Sequence, residues 1–122
     1  MSLKNQLEIS LVTINKKTLK IAFSGEFDAY TPPEIKYTIY RQSADGPKFL
    51  IIDLSELRYM DSNGFGFLLG LLKQRRETGH HLIIIRAKEH IDRVFRITRL
   101  DKMFTICDSE EQALQAITNI DS

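Results

Sequence analysis

Two apolar runs separated by one helical segment constrain this chain more than any other feature. Lys48 to Leu54 is a short, near-continuous apolar stretch, and Leu82 to Ile85 is a second. Such runs read as strands covered on both faces, the pattern of a parallel sheet. Between them, Asp61, Ser62, Asn63 and Gly64 precede an apolar segment that reaches Leu72 and ends in basic residues up to Arg76. Asp or Ser in front of such a segment is a helix start, and Gly79 fits the stop. Strand, helix and strand in this order form a βαβ unit with a right-handed crossover. Open α/β sheets carry their working surface at the carboxyl ends of the strands. Asp61 and Ser62 fall there, at a helix amino end.

The rest of the chain extends this unit. Leu7, Ile9 and Leu11 alternate with polar residues, as do Leu19, Ile21 and Phe23, with Asn15 to Thr18 between them. This predicts an antiparallel hairpin with one buried face. Thr31, Pro32, Pro33 and Glu34 predict a helix start, with Thr31 as cap and Glu34 completing a capping box. Ile35 and Ile39 give that helix its apolar stripe, and Asp45, Gly46 and Pro47 stop it. Later, Ile91, Val94, Phe95 and Thr98 have helical spacing, and Met103 to Ile106 reads as a short strand. Ser109 and Gln112 form a second capping box, before a helix with Leu114 and Ile117 on its apolar side. The expected order is ββαβαβαβα: a mixed sheet opened by a hairpin, with helices from about Pro32, Asn63, Glu89 and Glu110.

Bulk properties narrow the function. The 122 residues suit a single domain spanning 1–122, large enough for a real core. Net charge is +1, from 17 basic and 16 acidic residues, so neither nucleic acid nor an anionic membrane is an expected partner. No apolar run approaches membrane-spanning length, and the amino-terminal stretch does not read as a signal peptide, so a cytoplasmic location is expected. Cys107 is the single cysteine, which removes a disulfide framework and a cysteine metal site. His80 and His81 are adjacent on a strand and point to opposite faces, which argues against joint metal binding. No cofactor or metal is expected.

Three stretches resemble the STAS domain family, and within it the bacterial anti-sigma-factor antagonists. Gly25, Glu26, Phe27 and Asp28 match the family's Gly-Glu-hydrophobic-Asp after the second strand. Leu54 to Gly66, with Met60, Asp61, Ser62, Asn63, Gly64, Phe65 and Gly66 at its end, resembles the central loop and phosphoacceptor motif. Leu100 to Phe104 and Ser109 to Leu114 resemble the carboxyl-terminal end. The resemblance implies the STAS fold and phosphorylation at Ser62 by an anti-sigma factor that is itself a serine kinase. It implies that the unphosphorylated form binds this kinase and frees a sigma factor for transcription. A metal-dependent serine phosphatase would reverse the modification. Asn63 departs from the small Ser or Ala common at that position.

From the residues alone, Ser62 or Asp61 could be only a helix cap. A helix amino end tolerates a phosphate, whereas Asp61, and Asp28 if the loops converge, would oppose it. Asp28, Asp61, Asn63, Gly64 and Phe67 are the expected partner-binding residues. At about 100° per residue, Phe65, Leu68, Leu69 and Leu72 share one helix face while Phe67 lies nearly opposite Phe65, open to an interface unless a neighbouring element covers it. Gly64 and Gly66 are expected to let the helix start approach its neighbours. Asp53 is expected to hydrogen-bond near its strand end, and Arg75 and Arg76 to form a solvated helix end. A second functional reading is a STAS module that binds partners without switching, as a scaffold in a stress-signalling or lipid-transport assembly. An enzyme with Ser62 as nucleophile lacks a Gly-x-Ser-x-Gly elbow and a base. A receiver domain would open with a parallel strand and an acidic pair, not with a hairpin.

Overall fold

The computed structural model describes residues 6–44 and 46–121. The order of elements is β1 (Glu8–Asn15), β2 (Thr18–Phe27), α1 (Pro33–Ala44), β3 (Phe49–Met60), α2 (Ser62–Glu77), β4 (His81–Ile85), α3 (Glu89–Ile97), β5 (Thr105–Cys107) and α4 (Glu110–Asp121). A 3-10 turn at Leu100–Lys102 precedes β5. The five strands form one sheet in sequence order. β1 and β2 are antiparallel, and every later pairing is parallel. This is the expected mixed sheet with an opening hairpin and four helices.

β3 is the centre of the core because alternate side chains enter two different layers. Leu50, Ile52 and Leu54 pack with Ile39 of α1, Leu68 and Leu72 of α2, and Ile91 and Phe95 of α3. Phe49 and Ile51 point the other way, onto Ala113 and Ile117 of α4 together with Ile83 and Ile85 of β4. Each fully buried Leu or Ile of this kind contributes roughly 1.5–3 kcal/mol. The hairpin is less evenly covered than its alternation predicts. Leu19, Ile21 and Phe23 are buried, but of the β1 set Leu7 is buried, Ile9 half-buried and Leu11 exposed. β1 packs chiefly on β2, so its outer side meets solvent.

Four local expectations change. Residues 55–60, which fall in the stretch resembling a central loop, continue β3 to Met60 beside the end of β2. Two register shifts, between Ala22 and Ser24 and between Gly25 and Glu26, break the period-2 pattern that would have marked a strand. The short strand expected from Met103 starts at Thr105 instead. Thr31 does not start α1: its hydroxyl accepts the Asp28 N–H at 3.0 Å, and the first helical N–H groups reach Pro32 O. Arg75 is not solvated but fully buried. Its guanidinium donates to His81 O at 2.7 Å, to Ser43 O at 2.8 Å and Ser43 Oγ at 3.1 Å, and to Pro47 O at 2.6 Å. Burial pulls its pKa down to about 10, which still leaves it charged at neutral pH. Arg76 is exposed and donates to Met103 O.

Other signals hold. The Gln112 N–H donates to Ser109 Oγ at 3.1 Å, while Gln112 Oε1 accepts the Asp108 N–H at 2.8 Å. Gly79, at φ 75°, follows the end of α2. Gly46 and Pro47 follow α1, and Asp45 lies outside the described residues. Among the described residues no helix is long and apolar enough to cross a membrane.

Candidate functional site

The site is built where β2 and β3 end side by side. Phe27 pairs with Met60, and the Asp61 N–H donates to Phe27 O at 3.1 Å. Adjacent strand ends thus bring the Asp28 and Asp61 segments together, although 33 positions separate them in the chain. Asp28 closes its own turn, its Oδ1 accepting the Tyr30 N–H at 2.8 Å.

Asp61 is the cap of α2. Its backbone is extended and its Oδ1 accepts the Asn63 N–H at 2.8 Å. Asn63 Nδ2 lies 3.4 Å from Asp61 Oδ2. Ser62 is therefore the first helical residue rather than the cap. It is exposed, and among the described residues no hydrogen bond engages its hydroxyl. Capping falls on Asp61 and leaves the Ser62 hydroxyl without this role. The hydroxyl lies next to one carboxylate, that of Asp61, and near the turn that carries another, that of Asp28.

Gly64 holds the helix start against the sheet. A Cβ there would lie 2.2 Å from Met60 Cγ, 2.8 Å from Met60 Sδ and 3.1 Å from Phe27 Cγ. Gly66 differs from its expected role, since a Cβ there would meet nothing within 4 Å. Phe67 is half-buried, its ring centroid 5.4 Å from that of Phe27, so β2 covers part of it.

Sequence reasoning missed an apolar groove of about 330 Å³ beside Ser62, lined by Met60, Phe65, Val94 and Leu100 with Asp61, Ser62 and Thr98. Val94 and Leu100 look like ordinary core positions in the sequence, and only the packing of α3 against the start of α2 leaves them bordering this space. It also missed Tyr30, which is 90% exposed beside Asp28.

Asp53 lies away from this surface and has a structural part. Its Oδ1 accepts the Ser55 N–H at 2.9 Å where β3 goes out of register, and its carboxylate pairs with Arg86. Burial opposes its charge, but the hydrogen bonds from Arg86 and Ser55 outweigh this and hold the carboxyl below its usual range. The Cys107 thiol is pushed up by burial and by Asp108, which keeps it unreactive. His81 stacks on Phe49 with centroids 5.1 Å apart.

An anti-sigma-B factor antagonist of Staphylococcus aureus (strain NCTC 8325 / PS 47) is 30% identical over 99 residues, covering 81% of this chain and 92% of that protein. The crystal structure of an anti-sigma factor antagonist from Mycobacterium paratuberculosis superposes with a TM-score of 0.83 at 26% identity, covering 97% and 99% of the two chains. The Bacillus cell fate determinant SpoIIAA in its phosphorylated form shares the fold, with a TM-score of 0.70 at 22% identity over 90% and 99%. The STAS domain model matches residues 10–113, from β1 into α4, and the chain belongs to the STAS domain family.

Proposed function

We propose that this chain is an anti-sigma-factor antagonist that works by partner switching, with Ser62 as its phosphoacceptor. Unphosphorylated, it binds a serine-kinase anti-sigma factor through Asp28, Asp61, Asn63, Gly64 and Phe67. The kinase transfers a phosphoryl group to Ser62 and the complex separates. A metal-dependent serine phosphatase returns the protein to its binding form. The observation that carries this reading is the exposed, unengaged hydroxyl of Ser62 at the first residue of α2, with Asp61 already serving as cap. The anti-sigma-B factor antagonist among its relatives and the phosphorylated SpoIIAA among its structural neighbours support it.

The physics of release is local. A phosphate adds about −1.5 to −2 charges at neutral pH. It would arrive beside Asp61, whose carboxylate already takes the Asn63 N–H that could have served the phosphate. Enclosed in an interface shaped for a neutral hydroxyl, that charge costs roughly 2–5 kcal/mol, a loss of tens- to thousands-fold in affinity. No refolding of the domain is required.

The test is incubation with the cognate kinase and ATP, mass spectrometry of the product, and calorimetry of both forms. Ser62→Ala should bind the kinase permanently and resist labelling, while Ser62→Asp should bind weakly. Equal affinities for phosphorylated and unphosphorylated protein would sink the switch and leave the non-switching scaffold. Label on another residue would move the site.

A further inference from the structure

β3 is longer than the part of β2 it pairs with. Asp53 lies opposite Ala22 and Glu56 opposite Ser24, so Leu54 and Ser55 share the span of Phe23 alone. Further on, Leu57 lies opposite Gly25 and Tyr59 opposite Glu26, which makes Arg58 an additional residue. Each register shift reverses the alternation of the side chains after it. The core records both. Leu54, Leu57 and Met60 enter the same layer, while Glu56 and Arg58 are exposed. Strict alternation would have sent Glu56 and Arg58 inward with Leu54 and turned Leu57 outward. The first shift is clamped by side chains. Asp53 stands at its start, 3% exposed, and its Oδ1 accepts the Ser55 N–H at 2.9 Å. Arg86, the residue after β4, holds both oxygens of that carboxylate: Nε donates to Oδ1 at 3.3 Å and a terminal nitrogen donates to Oδ2. Arg86 has φ 57°, a left-handed backbone that residues with a side chain rarely adopt. Glycine would relax there, so the strained arginine points to a use for its side chain.

We propose that Asp53 and Arg86 are positioning residues for Ser62. By holding the register shift at Ser55 they set which way Leu57 and Met60 face, and so the point at which Asp61 and Ser62 leave the sheet. The path between the two places is continuous. Met60 lies opposite Phe27, and the Asp61 N–H donates to Phe27 O at 3.1 Å. The start of α2 rests on the same two residues, since Gly64 closes on Met60 and Phe27. Once the shift at Ser55 loosens, the residues after it are no longer fixed to one face, and Met60 leaves the layer on which Gly64 sits. Bulges beside functional sites commonly aim a side chain in this way. Asp53 and Arg86 touch neither Ser62 nor a partner there; they act through the strand. The consequence for phosphoryl transfer rests on Ser62 being the acceptor, whereas the consequence for the geometry of Asp61 to Gly64 does not.

Amide resonances and hydrogen exchange of the full chain, beside labelling by the cognate kinase and ATP, test this. Asp53→Asn keeps an acceptor for the Ser55 N–H and should match wild type in all three. Asp53→Ala removes the acceptor. Exchange at 55–61 should then quicken about tenfold and the Ser62, Asn63 and Gly64 resonances should shift. The kcat for labelling, corrected for the folded fraction, should fall about tenfold with KM within about twofold. The double variant Asp53→Asn/Arg86→Gly removes the guanidinium, leaves no buried charge unpaired and relaxes the backbone at 86, so it remains folded where Asp53→Ala does not. It should shift the same resonances at an undiminished melting temperature. Unmoved resonances at Ser62 to Gly64 in both variants, shifts without a fall in kcat, or a lower melting temperature with exchange rising evenly over the domain would each overturn the proposal. Label on another residue would remove the phosphoacceptor reading, and the resonances would then decide the positioning alone.

Discussion

Gly64 and Gly66, two residues apart in α2, make the sharpest test of how the site is held. Alanine at Gly64 would place a Cβ 2.2 Å from Met60 Cγ and 3.1 Å from Phe27 Cγ. Contacts between carbon atoms are normally about 3.5–4.0 Å. The Met60 atom is near the root of a buried side chain, and Phe27 behind it is fully buried, so neither can swing into solvent. Such overpacking costs typically about 1–3 kcal/mol. Alanine also gains about 1 kcal/mol over glycine in a helix. The net for Gly64→Ala is a loss of up to about 2 kcal/mol, since the gain offsets part of the clash. Gly66→Ala meets nothing within 4 Å and keeps the gain alone, so it should stabilise by about 1 kcal/mol. Urea unfolding of both variants and wild type, with unchanged slope, reads the difference. Gly64→Ala stabilised as much as Gly66→Ala would refute the close approach of α2 to Met60 and Phe27.

Other expected outcomes follow from the same contacts. Arg75→Met should lower stability by about 3 kcal/mol in thermal or urea unfolding, because Ser43 O, Pro47 O and His81 O lose their donors; a change under 1 kcal/mol would contradict the buried network. Phe67→Ala should cost about 1–2 kcal/mol of stability, less than a fully buried Phe because the ring is half-covered, and should also weaken kinase binding by ~2 kcal/mol in calorimetry. His81 is held below its ordinary value of 6.5 by burial and then by the Lys48 and Arg75 charges. The unfolded chain binds that proton more readily, so stability is complete above pH 6.5 and falls as pH drops through the folded value. His81→Gln should flatten that window. Asp53, held below 3.8, adds a second decline as pH falls from 3.8 through its folded value.

What the sequence determined by itself is whatever depends on neighbours along the chain. Alternation in Leu19, Ile21 and Phe23, the apolar runs of β3 and β4, and the helix starts at Ser109 and at Asp61 or Ser62 are all patterns within a few residues. Backbone periodicity makes them readable. The position of Ser62 at a helix start beyond a buried strand belongs to this class, since it needs only the order strand, cap, helix. Tertiary structure decided what depends on residues far apart. Arg75 looks like a solvated helix end until Ser43, Pro47 and His81 supply carbonyls from three other segments. Residues 55–60 look like a loop until the end of β2 pairs with them out of register. Phe67 faces outward on an isolated helix, and only the arrival of Phe27 covers part of its ring. Thr31 could cap α1, but the Asp28 N–H competes for the same hydroxyl and takes it. In each case a side chain had two uses open to it, and the fold chose by bringing up a partner that local sequence does not specify.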